Sequence, residues 1–150
     1  MEKLTRQGLE IELPDGWDGR IYRREMAEEA VTRRALHAAN FALPPNLGDY
    51  AVGAIERMRL GDVLVVLLEF DPASAGQGLF RSEGLPTGLG AGDFSPTAMP
   101  RAMPGRTAAQ WFFSLAGRAF CLYVVLGSHA KRAGMMTLVN QVVETLKIDD

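Results

Sequence analysis

Two histidines, His37 and His129, and a single cysteine, Cys121, are the groups in this chain best suited to metal binding or nucleophilic chemistry. A metal centre needs three or four convergent ligands. These three lie far apart in sequence, with no H-x-x-x-H or C-x-x-C spacing, so no metal ligand is assigned. Cys121 falls inside an apolar run, where a thiol packs as a small hydrophobe. Ser128-His129 could be a nucleophile and its base if a third group oriented the imidazole. The pair stands where a strand gives way to a helix, and a serine there reads as a helix cap. Asp49, Asp62, Asp71 and Asp93 are scattered turn residues with no spacing that brings two carboxylates together. The glycines of Gly88-Leu89-Gly90-Ala91-Gly92 follow no strand directly. Asp93 and Ser95 occupy the positions where a third glycine of a dinucleotide fingerprint would fall, so the segment reads as a flexible loop. No catalytic residue and no cofactor is therefore assigned.

Charge narrows the partners. Arg23-Arg24 and Arg33-Arg34 flank an acidic stretch, residues 25–29, and the alternation of sign reads as a solvated, self-neutralising surface. Nucleic acid would call for a basic stripe with interleaved aromatics. A net charge of −2 gives no steering toward nucleic acid or an anionic membrane. The longest apolar run, residues 119–126, is too short to span a bilayer. The N-terminal residues lack the apolar run of a signal peptide, and one cysteine cannot form an internal disulfide. A cytoplasmic protein is expected.

The most informative stretch lies between Asp71 and Arg106. It holds seven of the sixteen glycines and five of the eight prolines, with no helical or strand period. Loops of this length inside a domain are functional or disordered. Yet Leu79, Phe80, Leu85, Leu89, Phe94, Met99 and Met103 are too many large apolar groups for a disordered linker. They pack on their own sheet, on a second protomer or on another protein, with Arg101 and Arg106 able to rim such a contact. Leu79, Phe80, Leu89, Phe94, Met99, Arg101 and Met103 are accordingly the candidate partner-binding residues. In the alternative, the loop is a lid over a small-ligand pocket lined by Trp111, Phe113, Tyr123 and His37.

The flanking elements set that loop in place. Leu9-Glu10-Ile11-Glu12-Leu13 alternates as a half-buried strand, closed by the turn Pro14-Asp15-Gly16. Residues 19–23 suggest a short returning strand. Residues 25–40 suit either helix or strand; a loop near 26–31 and a strand over 33–43 are preferred. Asp49 is positioned to cap a short helix over 50–58. The continuous β-rich run 63–70 needs cover on both faces, as a central strand does. Residues 107–116 and 118–127 form a hairpin turning at Ala116-Gly117, again apolar on both faces. Met135, Leu138, Val139, Val142, Val143 and Leu146 then recur at helical spacing, each contributing roughly 1.5–3 kcal/mol when buried. Ser128 is positioned to cap that helix.

The order of elements is that of one α+β domain, residues 1–150, with a mostly antiparallel sheet, a C-terminal amphipathic helix and the Gly/Pro-rich insertion 72–106. Leu13-Pro14-Asp15-Gly16-Trp17 after an alternating strand, and residues 138–148 closing the chain after a hairpin, resemble the PsbP-like family. That resemblance implies an α/β/α sandwich, a central antiparallel sheet flanked by helices, and a role among adaptors and assembly factors. It transfers no catalytic or binding residue. The expectation is a non-catalytic protein–protein interaction or assembly module of a bacterial cytoplasmic complex, as a homo-oligomer or with another protein.

Overall fold

A computed structural model of the chain describes residues 1–26, 31–48, 51–99 and 103–149. Its strands are β1 (Glu2–Arg6), β2 (Leu9–Leu13), β3 (Asp18–Met26), β4 (Val31–Ala39), β5 (Val63–Phe70), β6 (Thr107–Leu115), β7 (Arg118–Leu126) and β8 (Lys147–Ile148). Two helices accompany them, α1 (Val52–Ile55) and α2 (Arg132–Val143). The strands form two antiparallel sheets, ordered β1-β2-β8 and β3-β4-β5-β7-β6.

The α+β class and the antiparallel pairing are as the pattern of the sequence predicts, but helices do not flank both faces of the large sheet. One face is covered by a second sheet together with α2. Leu9, Ile11 and Leu13 of β2 and Val139, Val142 and Val143 of α2 pack there against Leu36, Val65, Leu67, Phe120, Leu122 and Val124. The other face is covered by largely irregular chain. Leu43, Leu47, Ile55 and Met58 lie there against Leu64, Val66, Leu68, Cys121, Tyr123 and Val125. The alternation predicted for 118–127 is thus realised residue by residue, and β5 is central, paired with β4 and β7.

Several boundaries move for local reasons. The segment 19–23 is part of a nine-residue strand that pairs with β4, not with β2. β2 instead pairs with β1, through a turn in which Gln7 and Gly8 both have positive φ, 54 and 76°. That is the backbone a two-residue hairpin with right-handed twist requires; Ala116 and Gly117, at 53 and 74°, repeat it between β6 and β7. β4 ends before the predicted 43, because the Asn40 amide turns to accept from Val63 N at 2.8 Å and donate to Gly61 O at 3.0 Å. The helix predicted over 50–58 contracts to a single turn. Ala51 enters it at φ 59°, and Arg57 and Met58 bond three residues back rather than four. The capping role assigned to Asp49 lies outside the described residues. Ser128 Oγ accepts from Lys131 N at 3.2 Å, so it caps the turn before α2 rather than the helix itself.

Candidate functional site

The long connection is ordered. It makes single 3-10 turns at Pro72–Ser74, Gly78–Phe80, Ala91–Asp93 and Pro96–Ala98. Leu89 and Phe94 are buried in the core beneath α2, and Met99 is buried on the opposite face. Met103 is half-buried beside it. These four side chains are therefore engaged with their own sheet. The segment also pairs with the outer edge of β6. Ser114 N donates to Ser82 O at 2.7 Å and Gly84 N to Ser114 O at 2.8 Å, while Ser95 and Ala108 exchange bonds of 2.8 and 3.1 Å. The Ser114 hydroxyl accepts from Gly76 N at 2.8 Å and donates to Phe80 O at 2.6 Å. What the loop leaves outside is its tip. Phe80 is half-buried, 5.6 Å from both the Phe70 and Phe112 rings. Leu79 beside it is 68% exposed, over a shallow depression of about 400 Å³ formed by residues 73–80. Arg101 lies outside the described residues.

The pocket drawn from Trp111, Phe113, Tyr123 and His37 is not assembled. Trp111 and Phe113 face the α2 side, whereas Tyr123 faces the other. Strand register instead sets Arg20, His37, Val66, Tyr123 and Gln110 in one row across the five strands. His37 is buried, stacked on Tyr22 at 5.6 Å. Burial, with Arg20 and Arg24 nearby, pushes its pKa down to about 3. Its Nδ1 has no hydrogen-bond partner among the described residues. Burial pushes the Cys121 thiol, two rows away, up to about 12, with Arg24 opposing the shift. At neutral pH this thiol is protonated and a poor nucleophile. His129 bonds Thr107 Oγ1 at 2.9 Å, and Ser128 is engaged with Lys131, so the Ser128-His129 pair does not act as a unit.

The arginine pairs are where the structure departs furthest from the expected solvated surface. β3 and β4 set Arg23 opposite Arg34 and Arg24 opposite Arg33. Like charges directly opposite in an antiparallel pair are destabilising, and two consecutive pairs occur here. Arg34 is buried, and its Nε and Nη2 grip Glu69 Oε1 and Oε2, both at 3.1 Å, in a bidentate fork. Its Nη1 donates to Gln7 O at 3.0 Å, and its guanidinium lies 5.7 Å from the Phe120 ring centre. Arg118 Nη1 reaches the same Glu69 Oε2 at 3.1 Å. Arg24 takes Glu69 O at 3.1 Å and sits over the Phe70 ring. Burial would raise the Glu69 carboxyl, but its bonds to Arg34 and Arg118 outweigh that and hold it below the ordinary range. Arg23, Arg33, Arg34, Glu69 and Arg118 with the Gln7-Gly8 turn enclose a cleft of about 340 Å³.

One signal in the sequence pointed here. Glu69 is the one charged residue of an otherwise apolar central strand, and a buried carboxylate requires a cationic partner. Which arginine supplied it depended on register. Among the described residues, no three His, Cys, Asp or Glu side chains converge to hold a metal, and no helix is long and apolar enough to cross a membrane. Comparison with protein-family models, with curated proteins and with solved structures returns no match for this chain.

Proposed function

We propose that this protein is a non-catalytic protein-binding module whose contact point is the tip of the long loop at Gly78–Phe80. One observation carries the reading: Leu79 is 68% exposed on a turn fixed by Phe80 between two aromatic rings and by two bonds to the Ser114 hydroxyl. A large apolar group held rigidly in solvent loses little conformational entropy on docking, which favours binding. The fitting partner is a second protein offering an apolar pocket. The nucleophile candidates support the same reading, since Cys121 is buried and protonated and Ser128 is engaged in a cap. The PsbP-like resemblance of residues 9–17 and 138–148, and an assembly role in a bacterial cytoplasmic complex, belong to this proposal.

Leu79→Asp tests it. The side chain is exposed, so the variant should melt with the parent. Its association, with itself by light scattering or with a co-purifying protein by titration, should weaken by about tenfold or more. A variant that kept every association of the parent at full affinity would end the proposal.

A further inference from the structure

We propose that the cleft between Arg23, Arg33, Arg34 and Arg118 is a binding site for a multiply charged oxyanion, either a phosphate group or clustered carboxylates. The site is separate from the Leu79 tip, and neither reading depends on the other.

Local charge favours an anion. Four arginines and one glutamate line this cleft, in a chain whose net charge is −2. Asp71 approaches Arg33 at 4.0 Å. Glu69 is turned inward: Oε1 accepts from Arg34 Nε and Oε2 from Arg34 Nη2 and Arg118 Nη1. Its charge is spent on holding the two guanidiniums in place and does not guard the mouth.

Donor geometry favours an anion as well. Arg118 is 43% exposed while its partner Glu69 is 3% exposed. It therefore spans from the buried end of the cleft to solvent, committing Nη1 alone to Glu69. Arg23, exposed at the opposite lip, commits Nε and Nη2 to Thr32 and leaves Nη1 without a hydrogen bond among the described residues. Planar, pre-oriented forks of this kind recognise carboxylate and phosphate oxygens. Two consecutive like-charge pairs across β3 and β4 oppose sheet formation. Glu69 offsets Arg34, and Arg23 opposite it is held across the strand pair by Thr32 with Nη1 left over.

Isothermal titration at fixed ionic strength, with pyrophosphate in one arm and citrate in the other, reads the affinity and separates the two sources of oxyanion. Saturable binding with one site per chain is expected in at least one arm. Arg118→Gln and Arg23→Gln should each raise Kd by about tenfold or more, while Arg81→Gln, exposed and outside the cleft, should leave it unchanged. Arg34 keeps its fork on Glu69 in both cleft variants, so both should fold. Amide shifts of the parent protein give an independent check, with the largest changes expected at Gln7, Gly8 and Arg118. No saturable binding in either arm, equal Kd in parent and cleft variants, or shifts centred elsewhere would overturn the site.

Discussion

His37 shows how strongly the sheet interior controls a single side chain. In the unfolded chain it titrates near 6.5, and burial together with Arg20 and Arg24 brings it to about 3 in the fold. Between those values the unfolded chain binds a proton that the native chain refuses, so stability falls as pH drops through that window. At pH 5 the deficit from this residue is about 2 kcal/mol. Urea midpoints at pH 7 and pH 5 should therefore differ, and His37→Phe, which keeps a ring to stack on Tyr22, should remove most of the difference. Equal slopes in parent and variant would refute this account. Glu69, held below the ordinary carboxylate range by Arg34 and Arg118, weakens the fold only in stronger acid. Sequence reasoning places His37 in an apolar setting and Cys121 mid-strand, and both are buried. It did not place Arg34 with Glu69, because a bond between residues 35 apart depends on strand register, which adjacent sequence does not encode.

At the scale of elements, α2 is tied to the loop by Arg132, whose Nε donates to Ala91 O at 3.2 Å, and more closely by Asn140. Asn140 Oδ1 accepts from Leu89 N and Nδ2 donates to Leu89 O, both at 2.8 Å. It thus substitutes for a strand partner at a residue whose side chain is buried in the core. Asn140→Ala leaves both Leu89 backbone groups without that partner and should lower stability by about 1–3 kcal/mol. Hydrogen exchange should quicken around Leu89 while β5 and β7 stay protected; unchanged exchange there would count against the clamp. The elements legible in the sequence were those whose apolar period sufficed alone: β2, β5, the β6–β7 hairpin and α2. β1 was not, since EKLTR carries Leu4 as its single large apolar residue and is largely exposed. Its pairing follows from the Gln7-Gly8 turn and from β2, whose other edge takes β8. The candidate site was legible in part. The loop composition signalled buried apolar groups, and Leu89, Phe94 and Met99 are buried; which face each would join was not encoded locally.

For the whole molecule, the register explains why the connection between β5 and β6 is long. Both strands pair antiparallel with β7, one on each side of it, so they run parallel to each other. Thr107 at the start of β6 lies level with Val63 at the start of β5, both opposite Leu126. The chain leaving Phe70 must therefore travel back along an eight-residue strand before β6 begins, a distance of about 26 Å. Excising residues 76–104 would leave seven connecting residues, whose fully extended reach is about 25 Å before any lateral step; that excision would pull β6 from the sheet. A Gly/Ser segment of about fifteen residues in place of 76–104 restores the reach and isolates what the native loop adds. If the loop were only a spacer, the replacement would be nearly neutral, because loop closure changes by about 0.6 kcal/mol per doubling of length. The structure assigns it two further tasks: filling the core with Leu89 and Phe94, and pairing with the β6 edge at Ser82, Gly84 and Ser95. An uncovered edge of nine residues is a template for another chain. The replacement should therefore lose about 3–5 kcal/mol or more from the vacated core. It should also self-associate more strongly than the parent protein at matched concentration in light scattering. A variant with the parent's melting temperature and the parent's mass at every concentration would reduce the loop to a spacer and leave the Leu79 tip without the rigid mount on which its role depends.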